Sequence, residues 1–339
     1  QWESSPRPSP APSARSSNQV RNGHQLTNRP LSEYKNLRTI AAELLGPDHP
    51  DTLAIRSNLA YWRGESGDHA LAAAEFEQLV ADYIRVLGPD HPDTLSTRHS
   101  SAWWLGETRN PTGAVTAFEA LLADRTRVLG PDHPHTLTTR YALARWLGQA
   151  GDPVAAATAC EQLLPDYARV LGAHHPHTMA TRHDRAWWLG EAGDPARAVA
   201  EYESLLTARI QVFGSAHLHT LATRHDLHWF QAQAGDHAGA VAAFEELLAD
   251  YEQHLGTEHP HTTATREDLA WLKEDHQAPF MHTGGSPGLA RDSKGRVPGD
   301  LPGLDFLLPG VLQGGPAEWG GGDEAWAERN HQSSRPPRP

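Results

Sequence analysis

An all-α solenoid of stacked antiparallel helix pairs is the fold this sequence predicts, on three observations. The string Leu-Gly-Pro-Asp-His-Pro-Asp-Thr-Leu runs from Leu45 to Leu53 and returns from Leu87 to Leu95, with close copies at Leu129–Leu137 and Leu171–Met179 and weaker ones at Phe213–Leu221 and Leu255–Thr263. Its glycines (Gly46, Gly88, Gly130, Gly172, Gly214 and Gly256) are each 42 residues apart, so one supersecondary unit is copied in register. Within each unit, apolar residues recur at helical spacing in two patterns divided by a chain break such as Gly67-Asp68, Gly151-Asp152, Gly193-Asp194 or Gly235-Asp236.

The first pattern spans about Asp51 to Ser66. Pro50 suits its first position, where a missing N–H costs nothing, and it pushes His49 toward extended geometry. The second pattern spans about Ala70 to Leu87, and Gly88 suits a left-handed C-cap. Its buried stripe pairs a small residue (Ala72, Ala114, Ala156, Ala198, Ala240) with a large one (Phe76, Phe118, Cys160, Tyr202, Phe244), followed by Leu79, Leu121, Leu163, Leu205 and Leu247. Small opposite large is how facing helices interdigitate. The first helix repeats Trp62, Trp104, Trp146, Trp188, Phe230 and Leu272 in one register and mostly alanine, from Ala60 to Ala270, in another. One such hairpin cannot bury its apolar faces alone, whereas a stack can. The array is expected over 31–276: a lone second helix at 31–45, five hairpins over about 47–255, and a capping first helix over about 260–275, where Lys273 and Glu274 supply polar character. The repeat ends, being half-hairpins, leave self-association between chains open.

The flanks have no such periodicity. Residues 1–30 are rich in Ser, Pro, Arg and Asn, and residues 277–339 in Gly and Pro. Both are expected to be disordered tails, since neither offers enough apolar area to offset chain entropy. The stretch Leu304 to Leu312 reads as apolar linker, with a short docking motif as the alternative. The chain opens on Gln1 rather than Met, which reads as a processed or excerpted piece, and no apolar run of signal-peptide type follows.

Charge and composition narrow the function classes. The net charge is −13, and residues 31–276 hold 34 Asp and Glu against 19 Lys and Arg. Such a surface argues against nucleic acid and anionic membranes as partners. No apolar run is long enough to span a bilayer. The single cysteine, Cys160, lies in a core register, permits no intrachain disulfide and fits a reducing, cytoplasmic compartment. Phosphate loop, nucleophile elbow and His-Glu-x-x-His are all missing, so no enzyme, cofactor or metal is expected. The His-Pro-His strings, such as His133–His135, resemble metal ligands. However, His49, His91, His133, His175, His217 and His259 all fall at a helix entrance, where an imidazole can accept from a free backbone N–H, and successive copies are too far apart to share an ion.

The segment Asn58-Leu59-Ala60, then Gly67, Ala72, Phe76 and Leu79, resembles the tetratricopeptide repeat, and the resemblance covers about residues 31–275. The 42-residue period and the Leu-Gly-x-x-His-Pro-x-Thr opening look like its longer variety, found in kinesin light chains and many actinobacterial proteins. The sequence departs from the pattern at Cys160, where an aromatic is usual, and at Leu218, where the opening proline is lost and a looser hairpin start is expected. The resemblance implies a right-handed superhelix whose concave side, lined by first helices, holds a partner peptide, and it implies no catalytic residue. On that basis three registers of the first helix, sharing one side, are candidates for the groove. One reads Ser57, His99, Tyr141, His183, His225, Glu267. The next reads Tyr61, Trp103, Arg145, Trp187, Trp229, Trp271. The third, Gly64, Gly106, Gly148, Gly190, floors the groove, and the close approach its glycines permit is either a peptide or the neighbouring helix. Arg56, Arg98, Arg140, Arg182, Arg224 and Arg266 form a ladder that either grips a partner's carboxylates or pairs with the recurrent Glu77, Glu119, Glu161, Glu203 and Glu245. A protein-binding scaffold is the expected function, with the sensor arm of a larger signalling ATPase as the alternative.

Overall fold

The computed structural model describes residues 23–274. What the sequence leads one to expect of residues 1–22 and 275–339, the Leu304–Leu312 stretch included, lies outside the described residues. These form twelve helices: α1 (Gly23–Leu44), α2 (Pro50–Glu65), α3 (His69–Leu87), α4 (Pro92–Glu107), α5 (Pro111–Leu129), α6 (Pro134–Gln149), α7 (Pro153–Val170), α8 (Pro176–Glu191), α9 (Pro195–Phe213), α10 (Leu218–Gln233), α11 (His237–Leu255) and α12 (Pro260–Lys273). Each helix packs on its sequence neighbours, so five hairpins, α2–α3 to α10–α11, stand between a lone second helix and a lone first helix. The first helices α4 and α6, α6 and α8, and α8 and α10 also approach one another, while second helices do not approach to the same degree. The side with the closer spacing is the inside of the curve, so the first helices line the inner face of a right-handed solenoid. α1 opens at Gly23, eight residues before the boundary that composition suggests. Composition reports what a segment can bury, whereas a helix propagates cheaply from a turn already formed.

The entrance string builds the same joint six times. His49, His91, His133, His175, His217 and His259 are extended (φ between −65° and −69°), and each Nδ1 accepts from the backbone N–H two residues on at 3.1–3.3 Å. His217 keeps this geometry although Leu218 replaces the proline, so the expected looser start is not found: the imidazole cap, rather than the pyrrolidine ring, sets the entry. Second helices start on Asp68, Asn110, Asp152, Asp194 and Asp236, whose side chains accept from the N–H three residues on. Gly88 has positive φ, as expected, but its ψ of 164° places it outside the left-handed helical well. The residue is in the mirror-extended region, open essentially to glycine alone.

Within each hairpin Ala72, Phe76 and Leu79 and their equivalents are buried. The ends differ. Leu37 of α1 stands in the Leu79 register yet is 47% exposed, because among the described residues no first helix packs in front of it. At the other end α12 exposes Thr263 and Glu267, where the preceding hairpins carry buried Leu221 and His225.

Candidate protein-binding face

The three groove registers separate once packed. The line of Ser57, His99, Tyr141, His183 and His225 is buried, turned into its own hairpin. His99, His183 and His225 lie edge-on to Phe118, Tyr202 and Phe244 with ring centroids 5.0–5.2 Å apart. This corrects their place as groove wall: residues one turn apart share a side of the helix, but 57 lies at the edge nearest the second helix. Glu267 alone of that register is exposed. The glycines floor no peptide groove either. A Cβ at Gly64, Gly106 or Gly148 would run into the ring of Trp104, Trp146 or Trp188, and one at Gly190 into Phe230. The close approach is made by the next repeat's first helix.

The line at 61 borders both environments. Tyr61, Trp187 and Trp229 are buried, whereas Trp103, Arg145 and Trp271 are half-exposed. Each ring leans on the following repeat: Tyr61 on Trp104 (5.8 Å), Trp103 on Trp146 (5.5 Å), Trp187 on Phe230 (5.3 Å) and Trp229 on Trp271 (5.6 Å). Arg145 sits over the Trp103 ring at 5.1 Å, a cation–π contact. The inner face itself runs along Ala54, Asn58, Tyr61 and Glu65 in α2, and Ser96, Ser100, Trp103 and Glu107 in α4, one line at i, i+4, i+7 and i+11. One edge of that face reads Glu65, Glu107, Gln149, Glu191, Gln233.

The arginine ladder is held within the fold, although its partners are aspartates five residues beyond the glutamates suggested by the repeat. Arg56, Arg98 and Arg140 bond to Asp82, Asp124 and Asp166 at 2.7–2.8 Å, and Arg224 pairs with Asp250. Where Ala208 replaces the aspartate, Arg182 donates to Ser204 Oγ at 3.1 Å, and Arg266 bonds to Glu252 at 2.8 Å. A second arginine, missed in the sequence although it recurs, closes the network: Arg85, Arg127 and Arg169 grip Asp48, Asp90 and Asp132 with both nitrogens and also reach Asp82, Asp124 and Asp166. The arginines beside Asp124 and Asp166 hold those carboxyls below the usual carboxylate range.

A second missed feature is a polar chain buried between first helices. Tyr141 donates to Asp184 Oδ2 at 2.6 Å. Asp184 Oδ1 lies 3.7 Å from His183 Nδ1, and His183 Nε2 lies 2.9 Å from Asp226 Oδ2. Asp226 Oδ1 is 3.1 Å from His225 Nδ1, whose Nε2 is 3.0 Å from Asp268 Oδ2. Burial works against the charged forms, but the neighbours outweigh it: His183 is raised, His225 is pushed up to about 9 by Asp226 and Asp268, and Asp226 is lowered by both imidazoles. The signal was present as His-Asp dipeptides at 183–184 and 225–226, one repeat apart. His99, by contrast, is driven well below its usual value by burial and by Arg125, itself buried and donating to the carbonyls of His135 and Leu95 and to Thr139 Oγ1. Burial pushes the Cys160 thiol up, away from nucleophilic character. Among the described residues, no group of three His, Cys, Asp or Glu side chains could hold a metal, and no helix is long and apolar enough to cross a membrane.

Family profiles of the tetratricopeptide repeat match residues 107–167 and, separately, 52–93, 178–219 and 220–261, together more than half of the chain. Among solved structures, the nearly identical TPR-like repeats of a Podosopora anserina protein assigned as a kinesin light chain superpose with a TM-score of 0.55 at 26% identity, over 61% of this chain and 98% of that one. A substituted form of those repeats gives the same TM-score and identity over 60% and 97%. BtubC (BKLC) from P. vanneervenii is more distant, with a TM-score of 0.46 and 16% identity over 80% of this chain and 98% of that one. No curated protein matches the chain.

Proposed function

The chain belongs to the tetratricopeptide repeat family, whose fold generally serves as a protein–protein interaction scaffold, and from that premise we propose that it holds an extended partner segment along the inner face of its first helices and catalyses nothing. The observation that carries this reading is the face of α4: Trp103 is half-exposed between the small hydroxyls of Ser96 and Ser100 on one side and Glu107 on the other. A large ring flanked by small side chains offers an apolar partner group a place to anchor. The other rings of the register, Tyr61, Trp187, Trp229 and Trp271 with Arg145 among them, continue the line, and His99, Tyr141, His183 and His225 serve by fixing its backbone from behind. The arginine ladder is read as structural, since its carboxylates are supplied within the fold.

The test is a substitution that blocks the face without removing packing. Ser100→Arg places a long charged side chain one turn before Trp103 at a half-exposed site. Proteins captured by the wild-type chain are expected to be lost from Ser100→Arg while helicity and melting temperature stay unchanged. An unchanged set of captured proteins would remove the groove from the account.

A further inference from the structure

The two ends of the array depart from the repeat in opposite senses. A terminal repeat has no neighbour over its outer face and needs polar residues there. α12 meets that need: Thr263 and Glu267 are exposed where Leu221 and His225 of the preceding first helix are buried. α1 does the reverse. The leucine buried as Leu79, Leu121, Leu163, Leu205 and Leu247 is Leu37, 47% exposed. Three residues on, the aspartate of the arginine ladder (Asp82, Asp124, Asp166, Asp250) becomes Ile40, 51% exposed. Leu44, 78% exposed, completes a line at i, i+3 and i+7. An isoleucine thus stands in the place of a charge where cover is missing among the described residues, which is the mark of an interaction surface rather than of a cap.

Register and charge identify the occupant. One period before α2, residues 8–23 hold Ala11, Asn18 and Val20 where α2 holds Leu53, Ala60 and Trp62, and Pro12 falls where a helix interior needs an N–H. That stretch does not carry the sequence of a first helix. The α12 of a second copy suits the line no better. Packed there as a first helix packs on its second, it would bury Glu267 under α1 and set Glu258 beside Glu43, in the registers that hold Asp48 and Arg85 in the α2–α3 hairpin. The line does suit itself. Lys35 and Glu43 are exposed on one flank of it, with its centre between them, so an antiparallel copy brings each lysine to the other chain's glutamate. We propose that this end of the array is a two-fold dimer interface, in which α1 packs antiparallel on the α1 of a second copy through Leu37, Ile40 and Leu44. Such a contact is isologous and closes on itself, and the polar face of α12 stops growth at two chains. One short helix per chain is at the small end of protein interfaces, so the dimer dissociates on dilution.

Sedimentation equilibrium of the full chain over a range of concentrations is expected to show one chain passing to two and no further. Ile40→Asp, which restores the aspartate of the other hairpins, combined with Leu44→Lys should weaken the dimer at least about tenfold. Helicity should stay unchanged, because both side chains are exposed in the single chain. Lys35→Glu and Glu43→Lys should each weaken association, and the two together should restore it, since both cross-chain pairs are then re-formed with their signs exchanged. A single chain at every concentration overturns the proposal, including one in which residues 275–339 shield α1. So does a mass that keeps growing beyond two chains, which would set α12 against α1, and so does a dimer indifferent to Ile40→Asp with Leu44→Lys. If Lys35→Glu with Glu43→Lys fails to recover the dimer, the antiparallel arrangement falls.

Discussion

The hairpins from α2 to α7 and those from α8 to α11 share one 42-residue backbone period yet differ in one charge network each. In the first group that network lies toward solvent: Arg85, Arg127 and Arg169 tie each second helix to the loop that opens its own hairpin through Asp48, Asp90 and Asp132. In the second group these partners are gone, replaced by Gln211 and Gln253 on one side and His174 and Ala216 on the other. The charges there are buried between first helices, as the run from Asp184 through His183, Asp226 and His225 to Asp268. The apolar core divides one hairpin earlier. From Ala144 in α6 to Leu272 one cluster crosses three hairpins, whereas α2–α3 and α4–α5 centre on separate clusters. The same solenoid can thus be joined by screened, forgiving surface pairs or by a desolvated chain that tolerates no missing member.

That contrast can be broken most sharply at Asp226, which faces two imidazoles. Asp226→Ala leaves both charges buried without their shared carboxylate, and a loss of about 3–5 kcal/mol is expected, confined to α8–α12. Hydrogen exchange should show those helices opening while α2–α5 keep their protection; uniform opening would mean the two halves are one cooperative unit.

Alkaline pH should separate the halves next. The folded state holds the His225 proton to about 9, against about 6.5 when unfolded, so its contribution is complete below about 6.5 and is lost as pH rises through about 9. The amount at stake is roughly 3 kcal/mol. Asp226, Asp124 and Asp166 have lowered pKa values, so their contributions are present above about 3.9 and are lost as pH falls. Base is therefore expected to weaken the second group alone and acid to weaken both. A melting profile for α8–α12 that is flat between about pH 7 and 10 would contradict the assignment.

Smaller effects sharpen the picture. Gly106→Ala forces a methyl into the Trp146 ring and is expected to cost about 1–3 kcal/mol in urea unfolding, largely recovered when Trp146→Leu is added. No recovery would place the strain elsewhere. The smallest change is expected from Arg140→Ala, up to about 1 kcal/mol and fading with salt, because that pair is partly exposed. Asp166→Asn should cost more than Arg140→Ala, because Asp166 also bonds to Arg169.

Several of these features were legible in the sequence for a plain reason: they are local or recur. The six histidine caps, the helix bounds and the small-large core stripe each follow from residues a few positions apart. The groove was less legible. Periodicity places 57, 61 and 64 on one side of a helix, but which side meets the second helix, the next repeat or solvent depends on how hairpins cross. His99 and His183 accordingly went to the core and Gly106 to the next repeat's tryptophan, while the line through Ser96, Ser100 and Trp103 lies on the inner face. The ladder showed the same limit, since recurrence indicated that Arg140 has a structural partner but not whether it is Glu161 or Asp166.

By itself the sequence determined the period, the two helices of each unit, their caps and the sidedness of the core, because hydrogen bonds within a turn and the burial of a helical stripe act over a few residues. Only the tertiary structure decided which charges meet. Asp184, Asp226 and Asp268 become partners of a tyrosine and two histidines a repeat away because stacking brings first helices within side-chain reach, and a one-dimensional pattern carries no information about that distance.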